Sequence, residues 1–109
     1  SLIGGHLVSG HVDGIGKVVA VDEIDGNWET TVKVPPVLTK YLVKKGSITI
    51  NGVSLTVNHD GEDSVLINLV PHTISMTNLK LIKAGVYVNI EVDMLARYTE
   101  KLLSSAKQI

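Results

Sequence analysis

Hydrophobic and polar residues alternate along much of the chain, which is the pattern of β-strands that bury one face. The clearest example covers residues 47–57, where two alternating stretches flank Asn51-Gly52. This pair is typical of a type I′ hairpin turn, because both central positions of that turn adopt a positive φ. A two-residue turn fixes the register of the hairpin and predicts that Ile50 lies opposite Val53.

The predicted hairpin has one apolar face and one face made of hydroxyl groups. The apolar face consists of Ile48, Ile50, Val53, Leu55 and Val57. The hydroxyl face consists of Ser47, Thr49, Ser54 and Thr56. Serine and threonine are common on the water-facing side of an antiparallel sheet, but such a side usually carries Lys or Glu as well. Two interpretations therefore stay open, a solvated face and a polar binding surface.

Further strands and two short helices are predicted from the same alternation and from the turn residues between the runs. The additional strands are expected at residues 17–21, 28–34, 57–59, 64–70 and 87–92. The segments 37–44 and 72–79 are predicted to be helical connections, since Pro36 suits the first turn of the former and Ser and Thr offer caps in the latter. About six strands with two such connections indicate an all-β fold built on a small closed barrel.

The last part of the chain has the spacing of an amphipathic helix. Residues 94–107 contain no helix breaker, and apolar side chains recur at three- and four-residue intervals at Leu95, Tyr98, Leu102 and Ala106. A terminal helix of this kind either covers its own barrel or packs against another subunit. We therefore divide the chain into a barrel, residues 1–93, and a C-terminal helix, residues 94–109.

Composition narrows the classes of function. With 109 residues, of which 44% are hydrophobic, the chain is long enough for one domain with a buried core. The net charge of −1, without a basic block, predicts neither a nucleic-acid partner nor a membrane partner. The sequence has no cysteine, which excludes a disulfide framework, a thiolate nucleophile and cysteine-ligated zinc. No apolar run approaches the ~18 residues of a membrane span and no leader opens the chain, so we expect a cytoplasmic protein.

Two histidines in a glycine-rich segment, residues 4–16, are the first candidates for chemistry. His6 and His11 would point to opposite faces of an unbroken strand, and the histidines lack the spacing of a metal-ligand motif. We therefore predict no metal site and interpret His6 as a structural histidine. Glycines beside His11 let another molecule approach closely, and histidine titrates near physiological pH, so His11 is a candidate for proton transfer or ligand contact. Asp93, just before the predicted helix, is interpreted from its position as an N-cap.

Four segments occur in the order that the riboflavin synthase family shows in its C-terminal half. They read IGGHLVSGHVDG, KKGSITINGVSLTV, LVPHTISMTNL and VNIEVDMLARYTEKLL, and together they extend over nearly the whole chain. The chain therefore resembles that family's C-terminal domain. The resemblance implies a six-stranded Greek-key barrel with a C-terminal helix, as one half of a two-barrel chain that assembles into a homotrimer.

The resemblance also implies an activity. Members of the family are transferases that convert two molecules of 6,7-dimethyl-8-ribityllumazine into riboflavin and 5-amino-6-ribitylamino-2,4(1H,3H)-pyrimidinedione, moving a four-carbon unit without a cofactor. Their site forms between the N-terminal barrel of one subunit and the C-terminal barrel of its neighbour. The partners expected from this resemblance are the lumazine substrate, the riboflavin product, a neighbouring N-terminal barrel and lumazine synthase.

Matching the family's motifs residue by residue gives a set of expected site residues. The resemblance implies that His11 and Asp93 are catalytic, and for Asp93 it outweighs the interpretation as a cap. The substrate-binding residues that it implies are Ser9, Gly10, Lys45, Gly46, Ser47, Ser54, Leu55, Thr56, Thr73 and Thr77.

The family's N-terminal barrel has no counterpart in this sequence, so the chain alone is expected to be inactive or weakly active. Two other classes of function remain. A lumazine- or flavin-binding antenna protein would keep the barrel and lose the catalytic residues, and the intact SGH and GVSLT motifs favour the enzyme. An oligomeric interaction module would leave the hydroxyl face solvated.

Overall fold

The fold is a closed barrel of six antiparallel strands with a short additional strand at one side. The structure, a computed structural model, describes residues 6–7 and 11–107. Its strands are β1 (His6–Leu7), β2 (Gly14–Ile24), β3 (Asn27–Lys33), β4 (Ser47–Ile50), β5 (Val53–Asp60), β6 (Ser64–Leu69) and β7 (Tyr87–Val92). The sheet runs in the order β1-β5-β4-β7-β2-β3-β6 and closes because β5 also pairs with β6.

The connections follow a Greek-key path. β3 lies beside β6 and β4 lies beside β7, so the chain between β3 and β4 crosses from one side of the barrel to the other. β1 adds two residues to β5, with His6 opposite Ser54. The predicted all-β Greek-key barrel is thereby confirmed.

Both two-residue hairpin turns have the geometry that their residues favour. Asn51 and Gly52 adopt φ values of 49° and 85°, and Asp25 and Gly26 adopt 53° and 84°. The β4–β5 register is the predicted one, with the pairs Ser47–Thr56, Ile48–Leu55, Thr49–Ser54 and Ile50–Val53. The β2–β3 turn consists of Asp25 and Gly26 alone, because Asn27 already pairs with Ile24.

Helical segments cover the ends of the barrel. A first 3₁₀ helix spans Pro36–Tyr41, helix α1 spans Pro71–Met76, a second 3₁₀ helix spans Asn78–Leu81, and helix α2 spans Met94–Lys107. The first of these is shorter than the predicted segment 37–44, and as a 3₁₀ helix it is wound more tightly than an α-helix. The Leu42 amide donates to the Thr39 carbonyl at 3.1 Å, three residues back, and Lys45 then adopts a φ of 70°. This tight turn buries Leu38 and Leu42 over the barrel end.

The barrel interior is filled by the alternate side chains of all six strands. Ile48, Ile50, Val53 and Val57, from the predicted apolar face of the hairpin, are fully buried, and Leu55 packs against them at the margin. The remaining fully enclosed strand residues are Val18, Thr30, Val32, Ile67, Leu69, Val88 and Ile90. The opposite face of the β4–β5 hairpin therefore points out of the barrel.

Gly16 lies in β2 at a place where two neighbouring strands approach closely. A Cβ atom on Gly16 would lie 3.0 Å from the Lys33 carbonyl oxygen, 3.0 Å from Val32 Cγ1 and 3.1 Å from Ile90 Cδ1. Backbone cannot move aside as a flexible side chain can, so this glycine is required by packing.

Replacement of Gly16 by alanine should destabilise the barrel. We expect Gly16→Ala to lower the free energy of unfolding by about 1–3 kcal/mol, the usual cost of overpacking a core. Gly61→Ala is the matched control, since its Cβ would meet the rotatable Ser64 Oγ at 3.2 Å. Urea denaturation of both variants measures the difference, and equal midpoints would contradict this account of β2.

Helix α2 has the predicted range and leaves its apolar side in water. Leu95, Tyr98 and Leu102 are each more than half exposed, at 68%, 60% and 53%. α2 contacts the first 3₁₀ helix through its first turns. Among the helices of the described residues, none has the length and apolar character needed to cross a membrane.

Candidate ligand-binding site

A cleft of about 600 Å³ lies on the outside of the barrel, where β4, β5 and β7 meet the start of α2. The neighbouring strands β5, β4 and β7 contribute their outer faces to the cleft, and the first turn of α2 lies beside them. The segment before β2 completes the cleft. Its lining residues are His11, Asp13, Ser47, Thr49, Ser54, Glu91, Val92, Asp93, Met94 and Arg97.

Three hydroxyl groups of the hairpin face this cleft. Ser47, Thr49 and Ser54 are among its lining residues. Thr56, which pairs with Ser47, belongs to the same face but is exposed beyond the lining. The hydroxyl face of the hairpin contains no charged residue. In the folded barrel a carboxylate lies beside it, because Glu91 of β7 pairs with Thr49. Three of the hydroxyls thus line a cleft that also carries carboxylates.

Asp13 fixes the segment that carries His11 to the end of β7 and to helix α2. The Asp13 amide donates to the Ile90 carbonyl at 2.8 Å, and Asp13 Oδ2 accepts from the Val92 amide at 2.7 Å. Asp13 Oδ1 forms an ion pair with the Arg97 guanidinium. His11 therefore lies in the cleft two residues from an anchored position.

Asp93 caps helix α2 and also lines the cleft. Its Oδ1 accepts a hydrogen bond from the Leu95 amide at 2.9 Å, and its carbonyl accepts from the Arg97 amide at 3.1 Å. The interpretation of Asp93 as an N-cap, made from its position alone, is confirmed. The same residue lines the cleft together with His11, so the cap does not remove it from the candidate site.

Lys45 and Gly46 lie in the turn before β4, and their backbones hold β5. The Lys45 amide donates to the Val57 carbonyl at 2.8 Å, and the Val57 amide donates to the Gly46 carbonyl at 2.9 Å. Gly46 and Ser47 also line a second cleft of about 330 Å³ between α2 and the first 3₁₀ helix. Ser47 is therefore shared by both clefts.

The structure places the other expected substrate-binding residues away from the lining of the larger cleft. Leu55 points towards the barrel interior, opposite Ile48. Thr73 and Thr77 are buried in the α1 segment, where the Thr77 hydroxyl donates to the Thr73 carbonyl at 2.7 Å and accepts from the Leu79 amide at 3.2 Å. Ser9 and Gly10 lie outside the described residues. Of the expected set, the larger cleft brings together His11, Ser47, Ser54 and Asp93.

Five residues of the cleft were missed by reasoning from the sequence: Asp13, Glu91, Val92, Met94 and Arg97. Glu91 has a signal in the sequence, since it lies two positions from Asp93 in a strand and therefore shares its side of the sheet. Asp13 and Arg97 are 84 positions apart and have no such signal. Within the described ranges, no group of three or more His, Asp or Glu side chains is placed to hold a metal ion.

The cleft offers groups that suit a polar ligand. Its hydroxyls donate and accept hydrogen bonds, its carboxylates accept them, and the His11 imidazole can do either.

Comparison with known proteins gives consistent matches over most of the chain. The lumazine binding domain family matches residues 9–93. Riboflavin synthase of Photobacterium leiognathi is 48% identical over 101 residues, which cover 93% of this chain and 46% of the relative. Riboflavin synthase of Bacillus subtilis is 47% identical over 105 residues, which cover 96% of this chain and 49% of the relative. The chain thus spans about half the length of these relatives.

Solved structures of similar fold include two complexes of LumP. LumP with flavin mononucleotide superposes with a TM-score of 0.74 at 27% identity, covering 79% of this chain and 49% of LumP. LumP with 6,7-dimethyl-8-(1'-D-ribityl) lumazine superposes with the same TM-score and identity, covering 83% of this chain and 50% of LumP.

Proposed function

The chain belongs to the lumazine binding domain family, and from that premise we propose that it is a riboflavin synthase domain. It binds 6,7-dimethyl-8-ribityllumazine and supplies one wall of the site in which two lumazines become riboflavin and 5-amino-6-ribitylamino-2,4(1H,3H)-pyrimidinedione. The observation that carries this proposal is one cleft that unites the hairpin hydroxyls, His11 and Asp93 in a chain 48% identical to a riboflavin synthase. A second half-site has to come from another barrel.

We assign the binding of the pteridine to the hydroxyl face of the β4–β5 hairpin. Ser54 and Thr56 are the principal groups, and Ser9, Gly10, Lys45, Gly46, Ser47, Leu55, Thr73 and Thr77 remain proposed contacts. An uncharged heteroaromatic ring with carbonyl oxygens and ring nitrogens suits hydroxyl partners, because each hydroxyl both donates and accepts.

The chemistry requires two different activations. One lumazine must lose a proton from its C7 methyl group, and the other must accept a nucleophile, before the four-carbon unit is transferred. His11 is proposed to take and return the proton, and Asp93 is proposed to act beside it. Alignment of the two substrates by hydrogen bonds and by stacking supplies the remaining acceleration.

The proposed assembly extends beyond this chain. The missing wall is the N-terminal barrel of a neighbouring subunit, and the complete protein is a homotrimer in the cytoplasm with lumazine synthase as a further partner. These proposals rest on resemblance to the riboflavin synthase relatives.

The hydroxyl face should carry most of the affinity for lumazine. Each hydrogen bond contributes about 0.5–1.5 kcal/mol, so Ser54→Ala with Thr56→Val should raise Kd for 6,7-dimethyl-8-ribityllumazine by about ten- to a hundredfold. Thr31→Val is the matched control, because Thr31 lies on the outer face of β3, across the barrel from β4. Lumazine fluorescence measures binding. Unchanged fluorescence with the wild-type chain would favour the interaction module, and binding without turnover in a two-barrel chain would favour the antenna protein.

The exposed apolar side of α2 should mediate self-association of the complete protein. Leu95, Tyr98 and Leu102 have more to gain from a partner than from water. Deletion of all residues after Asp93 should lower the oligomeric state in sedimentation velocity, and Leu102→Glu should do the same without shortening the chain. Lys101→Glu, on the polar side of the helix, is the control. An unchanged mass for both apolar-side variants would contradict the role of α2.

A further inference from the structure

An ion pair at one end of the cleft joins parts of the chain that are far apart in sequence. Asp13 and Arg97 are separated by 84 positions, and their carboxylate and guanidinium are in direct contact. Asp13 also accepts the Val92 amide hydrogen bond at 2.7 Å. One carboxylate thus holds the end of β7 with one oxygen and helix α2 with the other.

Arg97 is held on a second side by an aromatic ring. Its guanidinium carbon lies 5.4 Å from the centroid of the Tyr41 ring, at the end of the first 3₁₀ helix. A guanidinium stacks favourably on such a ring. Arg97 is therefore fixed between Asp13 and Tyr41, and the first turn of α2, with its cap Asp93, is fixed with it.

The pair connects the two parts of the chain that carry the proposed catalytic groups, the segment before β2 and the start of α2. His11 is two residues from Asp13, and Asp93 is four residues from Arg97, one helical turn earlier. Without the ion pair, the segment before β2 keeps its hydrogen bonds to the Ile90 carbonyl and the Val92 amide, but it loses the contact that joins it to the side of α2. The first turn of α2, and Asp93 with it, is then held to this segment less firmly, through the end of β7.

We propose that Asp13 and Arg97 are a positioning pair, which acts on the ligand only by holding His11 and Asp93 at a fixed separation across the cleft. This inference rests on the proposed function, since it names the residues that hold the proposed catalytic groups of that site in position. The contribution of the pair to overall stability is limited, because the Arg97 side chain is 43% exposed and solvent weakens its attraction to Asp13, which is 15% exposed.

Conservative substitutions separate the parts of this arrangement. Asp13→Asn keeps an oxygen for the Val92 amide and removes the charge that Arg97 binds. Arg97→Gln removes the guanidinium, and Arg97→Lys keeps the charge but loses the planar group that stacks on Tyr41. Asp22→Asn and Lys101→Gln are matched controls. The first removes the same charge at an exposed position of β2, the strand that Asp13 precedes, and the second does so at an exposed position of α2.

The test is a double-substitution cycle on lumazine binding, followed by fluorescence. Asp13→Asn and Arg97→Gln should each raise Kd for 6,7-dimethyl-8-ribityllumazine by about three- to tenfold, and the double variant should bind no worse than the weaker single variant. Arg97→Lys should restore part of the affinity, and the controls should match the wild type. In a two-barrel chain the same variants should lower kcat more than they raise KM.

Two results would overturn the proposal. If the fold-changes in Kd of the two single variants multiply in the double variant, Arg97 contacts the ligand directly. If every variant keeps the wild-type affinity and the wild-type kcat, the pair positions nothing. A separate readout needs no ligand: the NMR signals of His11 should shift in Arg97→Gln and stay in place in Lys101→Gln. That shift with no lumazine binding in the wild type would refute the proposed function while leaving the coupling intact, and an unshifted His11 signal would refute the coupling itself.

Discussion

A chain that joins this domain to a second barrel should form riboflavin at least about a hundredfold faster than the 109-residue chain alone. The described cleft, of about 600 Å³, is open on the outside of the barrel, and the proposed function places one substrate in it, against the hairpin. Transfer of a four-carbon unit needs two lumazines in contact. A wall that aligns the second substrate replaces a bimolecular encounter by a reaction within one complex, and such alignment contributes several orders of magnitude to rate.

The second barrel can be taken from a relative. The part of the Photobacterium leiognathi riboflavin synthase that this chain does not match is a suitable donor, because the matched half is 48% identical. Riboflavin formation is followed by absorbance for the joined chain, for the 109-residue chain and for a mixture of the separate barrels. Full-rate synthesis by the 109-residue chain would show that its site is complete, and the shared-site proposal would have to be abandoned.

The parts of the fold that were predicted from sequence are those with local causes. Asn51-Gly52 favours one turn geometry, and that turn alone sets which residues of β4 and β5 are paired and which face is buried. The range of α2 follows from a capping aspartate, Asp93, and an uninterrupted helical period. The first 3₁₀ helix was predicted as a longer helix, because apolar spacing over so few residues does not distinguish a 3₁₀ turn from an α-helical one.

The site was predicted less completely because a cleft depends on which strands become neighbours. The hydroxyl face is a property of one hairpin, but Glu91 joins it only because β7 pairs with β4. Asp13 and Arg97 belong to a glycine-rich segment and to a surface helix, and each by itself suits a solvated charge. Their contact follows from the pairing of β2 with β7, which places the start of β2 beside the end of β7. Long-range pairing of this kind leaves no periodic signal in the sequence.

Replacement of His11 should lower the rate of riboflavin formation far more than the affinity for lumazine. In the joined two-barrel chain we expect His11→Ala to reduce kcat by about a hundred- to ten-thousandfold, the range for loss of a general acid–base group. The Kd for 6,7-dimethyl-8-ribityllumazine should change by no more than about threefold, because proton transfer contributes in the transition state and hardly at all in the ground state. Single-turnover absorbance measurements give the rate, and fluorescence titration gives the affinity.

Two further variants separate proton transfer from the other roles that an imidazole can have in this cleft. His59→Ala removes an exposed histidine from β5 that is absent from the cleft lining and should keep the wild-type rate. His11→Gln retains a hydrogen-bonding side chain that cannot exchange a proton near neutral pH, so it should be as slow as His11→Ala. Recovery of the rate in His11→Gln would show that position 11 supplies a hydrogen bond, and the proton would then have to move through Asp93 or between the two substrates themselves.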